Sequence, residues 1–306
     1  MTTTQTRADV TFDSGGTECA AWFYPGCDIS PFATDAGRPV VVLAHGFAGT
    51  KDSGLDAFAR RFAAAGLAAF AFDYRGFGMS GGIPRQHISM QAQAQDYRAA
   101  IEAAKKQPGV DPGRIIVWGV SQSGGHALNV AVDRDDIRAV IAMVPLVNGL
   151  AAGKHAYPQT GAGAMARSAV RGMSSAIGGK LGRRPIMMPV VGRPGERGAL
   201  TAPGFYESYT AIAGPSWRNE VDAAVTTEVG GFRADQHGDR IRGKVLVQIA
   251  DYDRGAPPHA AAKAAFRAHA EVRHYPCDHF DVFEPNDWFE AAVTHQLSFL
   301  TRHLGS

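Results

Sequence analysis

The sequence predicts an α/β protein, a mostly parallel sheet covered by helices, and three observations carry that prediction. Short apolar runs suited to buried strands alternate with longer stretches whose apolar residues recur at helical spacing. Several of the runs, such as "PVVVLAHG" and "RIIVWGV", are almost uniformly apolar and close in glycine-containing loops. The helical stretches between them stop at glycine or proline, as at Gly66 and at Pro108 with Gly109.

Taken in order, the chain opens with two strands, because Val10 to Tyr24 breaks at "DSGGT" and paired glycines suit a hairpin turn. The strand "PVVVLAHG" leads to the helix "LDAFARRFAAAG". The strand "LAAFAFDYRG" follows, then a glycine-rich loop through Gly82 and the helix "MQAQAQDYRAAIEAAKKQ". "RIIVWGV" runs into "SQSGGHAL", a tight turn into a helix, and "IRAVIAMVPLV" is the next strand. Near the end, "GKVLVQIAD" and "AEVRHYP" are strands on either side of the helix "PPHAAAKAAFRAHA", and "PNDWFEAAVTHQLSFLTRHL" is the last helix.

Between Asn148 and Gly238 this rhythm disappears. The segment is rich in Gly, Met and Arg, with helical pieces such as "GAMARSAVRGM" and "TAPGFYESYTAI" but no convincing strand. The expected organisation is therefore a core of residues 1–147 and 239–306 with a mainly helical cap, residues 148–238, inserted over the strand ends. Ligands bind at the carboxyl edge of an open parallel sheet, so a cap there shapes the pocket.

Composition narrows the function classes. With 306 residues, 45% hydrophobic and 20% charged, the chain buries a sizeable core. A net charge of +2 gives no overall argument for nucleic acid or a membrane as partner. Cys19, Cys27 and Cys277 are widely separated and lack metal or redox spacing, which suits packed or free thiols in a reducing compartment. The N-terminus "MTTTQTRADV" has no apolar leader and no stretch approaches a membrane span, so a cytoplasmic protein is expected.

Chemistry concentrates in "VWGVSQSGGHAL". A strand passing through a turn of small residues into a helix forces the turn serine into a strained conformation with its hydroxyl above the sheet. The apolar run ends at Val120, which makes Ser121 the tip residue, whereas Ser123 falls in the first helical turn. The plainer alternative is a tight turn with an N-capping serine. A serine nucleophile needs a base and an orienting acid. The acid is expected after "VLVQI", where "ADYDRGAPP" offers Asp251 and Asp253, and the base is expected later still. His279, in "YPCDHFDVF", is the histidine on the loop before the final helix. Donors for a developing oxyanion are expected from the Phe47 amide in "AHGFAG" and from the amide after the nucleophile, that of Gln122.

With these residues assembled, the chain resembles the α/β-hydrolases, and within them the bacterial serine esterase-like hydrolases with an HGF loop. The motifs that carry the resemblance are "AHGFAG", "FDYRGFGMSGG", "WGVSQSGGH", "DYDRGAPP" and "CDHFDVF", in that order along nearly the whole chain apart from the insertion. The resemblance implies an eight-stranded, mostly parallel sheet, a triad of Ser121, Asp253 and His279, with Asp253 preferred to Asp251 partly on this ground, and an oxyanion hole at Phe47 and Gln122. Ser123 stands where the commonest form of the elbow has glycine. Relatives with a carboxylate nucleophile are excluded, because no Asp or Glu occupies the elbow. "FDYRGFGMSGG" lacks the G-K-[ST] of a phosphate-binding loop and is expected to pack beside the pocket.

The expected activity is cleavage of a carboxylic ester through an acyl-enzyme, with a small ester-like molecule as partner and no cofactor or metal required. Lactonase, thioesterase, amidase, peptidase and acyltransferase chemistry use the same triad, and a non-catalytic homologue is the rival of another class. A homodimer is compatible with the chain; nucleic-acid and membrane partners are not expected. From Ala151 to Leu200 the residues Lys154, Arg167, Arg171, Lys180, Arg183, Arg184, Arg193 and Arg197 face only Glu196. That cationic stretch is either a solvated face or an attractor for an anionic substrate.

Overall fold

A computed structural model describes residues 7–305. Residues 1–6, on which the expectation of no leader partly rests, and residue 306 lie outside the described residues, as do those ends of the expected core boundaries. The chain begins with strands β1 (Ala8–Ser14) and β2 (Thr17–Tyr24), joined through Gly15 and Gly16 at φ 59° and 83°. Positive φ at both central residues gives the turn a twist that matches the flanking strands. The alternation then runs β3 (Arg38–Ala44), α1 (Leu55–Ala64), β4 (Ala68–Phe72), α2 (Met90–Ala104), β5 (Val110–Val120), α3 (Gln122–Val130) and β6 (Ile137–Met143).

The segment after β6 holds α4 (Gly149–Thr160), α5 (Ala162–Lys180), β7 (Met187–Met188), α6 (Phe205–Ile212), β8 (Val221–Asp222) and α7 (Val225–Gly230). The core resumes with β9 (Lys244–Ala250), α8 (Pro258–Arg267), β10 (Glu271–Tyr275) and α9 (Phe289–Leu304). Eight strands form one sheet in the order β1, β2, β4, β3, β5, β6, β9, β10. β1 with β2 and β2 with β4 pair antiparallel, and the remaining pairs are parallel.

Three details differ from the sequence-based expectation. β5 begins at Val110, not at Arg114, because Val110 already pairs with Arg38 across a register shift before Val40. The segment between β6 and β9 contains a small antiparallel pair, Met187 with Asp222 and Met188 with Val221, where no strand is expected from the sequence. Its first helix, α4, also goes unread in the sequence, since Pro158 lies inside it and interrupts the pattern.

The uniform apolar runs are explained by burial on both faces, as on β3, where Val40 to Ala44 are all fully buried. One polar network threads this core. Trp118 Nε1 donates to Gln296 Oε1, Gln296 Nε2 donates to Gln248 Oε1, and Gln248 Nε2 donates to the Tyr275 hydroxyl and the Ala292 carbonyl. Those bonds tie β5, β9 and β10 to α9, and they satisfy groups whose isolation in this interior would cost about 1–3 kcal/mol each.

The parallel strands deliver their carboxyl ends to one edge. His45 follows β3 directly, Ser121 follows β5 directly, Asp253 lies just beyond β9, and His279 just beyond β10. Sheet topology therefore gathers residues far apart in sequence before any side chain is considered.

Candidate active site

Ser121 is the N-cap of α3 at φ 56° and ψ −122°, and its side chain makes no capping hydrogen bond. That disposes of the plain capping-serine reading. The backbone is locked in this conformation, a costly one for a residue with a Cβ. Ser121 N donates to the Met143 carbonyl at 2.9 Å, and its own carbonyl accepts the amides of Gly124 and Leu146 at 2.9 Å each. Glycine at 119 is required: a Cβ there would sit 2.0 Å from the Ser123 carbonyl oxygen.

Ser123 is fully buried. Its hydroxyl donates to the His45 carbonyl and shares a 2.7 Å hydrogen bond with the Tyr74 hydroxyl. The serine that replaces the usual elbow glycine is thus a strut between the turn and the loop after β3, with no free hydroxyl to react.

That loop presses against Ser121. A Cβ on Gly46 would lie 2.8 Å from Ser121 Cβ and 3.4 Å from its Oγ, so the bare glycine backbone is what allows the approach. Gly49 is similarly constrained, since a Cβ there would come within 1.8 Å of His45 Nδ1. His45 is buried, its Nε2 bonds the Ser53 carbonyl at 2.6 Å, and desolvation pulls its pKa down to about 4, so the ring is neutral. Phe47 lines the same cavity as Ser121, and its carbonyl accepts the Tyr209 hydroxyl of α6 at 2.7 Å. Gln122 opens α3, and the amide of a first helical residue has no acceptor one turn back.

The acid candidates separate by environment. Asp251 is exposed and pairs with His274 at 2.6 Å on the outer face. Asp253 is buried and turned inward: Oδ1 accepts the amides of Gly255 and Ala256 at 2.7 Å each, and Oδ2 accepts from His279 Nδ1 at 2.7 Å. The bond to Oδ2 leaves Nε2 as the free nitrogen of His279, and the ring lines one cavity with Ser121. Burial pulls the His279 pKa down, but the charge and hydrogen bond of Asp253, with Asp278 beyond, outweigh it and hold it above its ordinary 6.5.

The cavity shared by Ser121 and His279 has a volume of about 20 Å³ and is also lined by Gly46, Phe47, Leu200, Tyr209, Phe280 and Phe283. It is water-sized. Leu200 and Tyr209 belong to the segment between β6 and β9, so that segment contributes side chains to the cavity wall. A wider cavity, about 560 Å³, lies between α4 and α8 and is lined by Lys154, His155 and His259, with neither serine nor acid. Among the described residues no group of His, Cys, Asp and Glu is arranged to hold a metal, and no helix is long and apolar enough to cross a membrane.

Supporting residues went unread in the sequence. Lys51 and Asp73, both buried, pair at 2.6 Å, and Asp73 also accepts the Lys51 and Met79 amides. The pair fastens the loop carrying Phe47 to the "FDYRGFGMSGG" segment, and the Tyr74 hydroxyl of that segment bonds Ser123. His155 of α4 bonds the Asp253 carbonyl through Nε2 at 2.7 Å and joins the insertion to the acid-bearing loop. Cys19 and Cys277 are buried, and burial pushes both thiols up to about 12, well away from nucleophilic chemistry at neutral pH.

Residues 35–175 match the family model described as serine aminopeptidase, S33. The quorum-quenching protein AidA of Acinetobacter baumannii is 33% identical over 301 residues, 97% of this chain and 95% of that protein. The chain belongs to the α/β-hydrolases. Solved members of this superfamily share its fold: the α/β-hydrolase GrgF from Penicillium superposes with a TM-score of 0.79 over 98% of this chain and 100% of that one at 21% identity. A hypothetical protein from Pseudomonas aeruginosa superposes with a TM-score of 0.82 over 99% of this chain and 95% of that one at 19% identity. A shorter match, 37% identical over 113 residues, joins this α/β-hydrolase to the thiohydrolase aneE of Aspergillus aculeatus and covers 37% of this chain and 36% of that one.

Proposed function

We propose that this hydrolase cleaves carboxylic esters through an acyl-enzyme, with Ser121 as nucleophile, His279 as base and Asp253 as orienting acid. The observation that carries the reading is the strained, uncapped Ser121 sharing a water-sized cavity with a histidine whose Nδ1 is held by a buried carboxylate. His279 Nε2 takes the Ser121 hydroxyl proton as Oγ attacks the ester carbonyl. The amides of Phe47 and Gln122 stabilise the oxyanion. Collapse of the tetrahedral species expels the alcohol, which receives its proton from His279. A water deprotonated by the same nitrogen then releases the acid and frees Ser121.

Thioesters form the second reading, because a thioester presents the same carbonyl to the same donors. Relatives named thiohydrolase and polyketide transferase support it. The relative named a quorum-quenching protein is matched over 95% of its own length, so a role in quorum quenching is a further reading the substrate panel bears on. The test is a panel of short-chain esters, thioesters, lactones and amides, assayed with and without an alcohol acceptor on the wild type and Ser121→Ala. Ester turnover lost in the variant is the expected outcome. Turnover confined to amides, or unchanged in Ser121→Ala, overturns the reading.

A further inference from the structure

Helix α5 is amphipathic the wrong way round for a core helix. Its inward face is made of small residues: a Cβ on Gly172 would sit 1.8 Å from Thr226 Oγ1, and Ser175 Oγ bonds Asp222 at 2.6 Å. Its outward face carries Val170, Met173 and Ile177, continued by Leu181, exposed at 66%, 59%, 54% and 67%. Their spacing of three and four residues places them in one stripe along the helix. Ile186 and Met187, also exposed, extend the apolar surface past the end of α5. Close backbone packing on the small face leaves the bulky side chains no inward alternative.

The charge along this stretch of the chain is of one sign. From Gly149 to Met188 the chain holds Lys154, Arg167, Arg171, Lys180, Arg183 and Arg184 and no acidic residue. The near-balanced whole-chain charge of +2 conceals this local excess. An apolar stripe flanked by cations provides both signals that interfacial binding needs, buried apolar area and attraction to anionic headgroups. A second copy of the chain is the poorer occupant, because pairing α5 with itself sets the same cations against one another with no carboxylate to answer them.

We propose that α5 and the turn after it form a docking surface for an anionic lipid bilayer. Docking of this kind requires neither a spanning helix nor a strongly basic chain, so the expectation of no membrane partner, drawn from those two features, does not bear on it. It is independent of the catalytic reading, since none of these side chains lines the cavity around Ser121.

The test is co-sedimentation of the full chain with vesicles of phosphatidylcholine alone or mixed with phosphatidylglycerol, at low and high salt. The expected result is partitioning onto the anionic vesicles at least about tenfold stronger than onto the neutral ones, weakened by salt. In Met173→Glu/Ile177→Glu that partitioning falls to the neutral-vesicle level while the unfolding temperature stays within a few degrees, because both side chains are exposed. Equal binding to both vesicle types, no binding, or full binding by the double variant overturns the proposal. So does light scattering that shows a dimer which the double variant dissolves while vesicles remain unbound.

Discussion

Replacing Asp253 by Asn isolates the orienting role proposed for it, because the hydrogen bonds of its carboxylate dictate how the amide would sit. Asp253 Oδ1 accepts two backbone amides at 2.7 Å, and those donors will retain the single carbonyl oxygen of an asparagine. The NH₂ group then faces His279 Nδ1, which must become an acceptor, so the ring proton moves to Nε2. A histidine protonated there cannot take the Ser121 proton. Loss of about 10⁴ in kcat is the size expected when a triad carboxylate becomes an amide, about 5.4 kcal/mol at 1.36 kcal/mol per factor of ten. The fold should survive, since the two amide contacts persist.

A second consequence concerns pH. Burial lowers the His279 pKa and Asp253, with Asp278, raises it past 6.5, so wild-type activity should rise with pH through a midpoint above 6.5. Without the Asp253 charge, the residual activity should titrate at lower pH. The assay is kcat/KM on a short-chain ester across the pH range, with thermal unfolding as the control. Asp251→Asn serves as comparator, because that carboxylate is exposed and pairs with His274 away from the cavity. A variant Asp253→Asn within tenfold of wild type, or an inactive Asp251→Asn, removes Asp253 as the orienting acid.

Other expectations follow from the supporting residues. Lys51→Met leaves the buried Asp73 carboxylate without its cation and should cost about 3–5 kcal/mol, whereas Lys51→Met/Asp73→Asn, which removes the charge and keeps an acceptor for a backbone amide, should recover part of that in chemical unfolding. A double variant no more stable than the single one would remove the ion pair from the account. His87, on the loop before α2, bonds Asp222 of β8 at 2.7 Å and helps clamp the inserted segment to the core. Its hydrogen bond to Asp222, opposed by burial, raises the His87 pKa above 6.5, so its stabilisation is complete below 6.5 and fades as pH rises through the folded value. For Asp222, burial pushes upward, but His87, Ser175 and the Ala224 amide outweigh it, so its share is present above 3.8 and fades below that. The unfolding temperatures of wild type and His87→Ala should therefore differ most between 3.8 and 6.5 and converge at alkaline pH; a gap that widens with pH contradicts this.

The sequence made the central fold legible because each parallel strand is buried on both faces and so is written as an apolar run. Ser121 was legible for the same reason: the run stops at Val120, and the next residue stands at the sheet edge. Asp251 and Asp253 were not separable from the residues alone, since both occupy one short loop. What distinguishes them is the pair of amides at Gly255 and Ala256, a matter of backbone direction. The pairing of Lys51 with Asp73 and the bond from His155 to the Asp253 carbonyl are not legible in the sequence, because the partners are distant along the chain and only tertiary structure joins them. The stripe on α5 has the periodicity of a core-facing helix, and only its solvent exposure shows that it faces outward.

Covalent labelling with a fluorophosphonate, read by intact mass and peptide mapping, identifies the nucleophile itself. One adduct is expected on wild type, located on Ser121, with none on Ser121→Ala and an adduct retained by Ser123→Ala. An adduct that persists in Ser121→Ala, or maps to Ser123, would contradict Ser121 as the nucleophile.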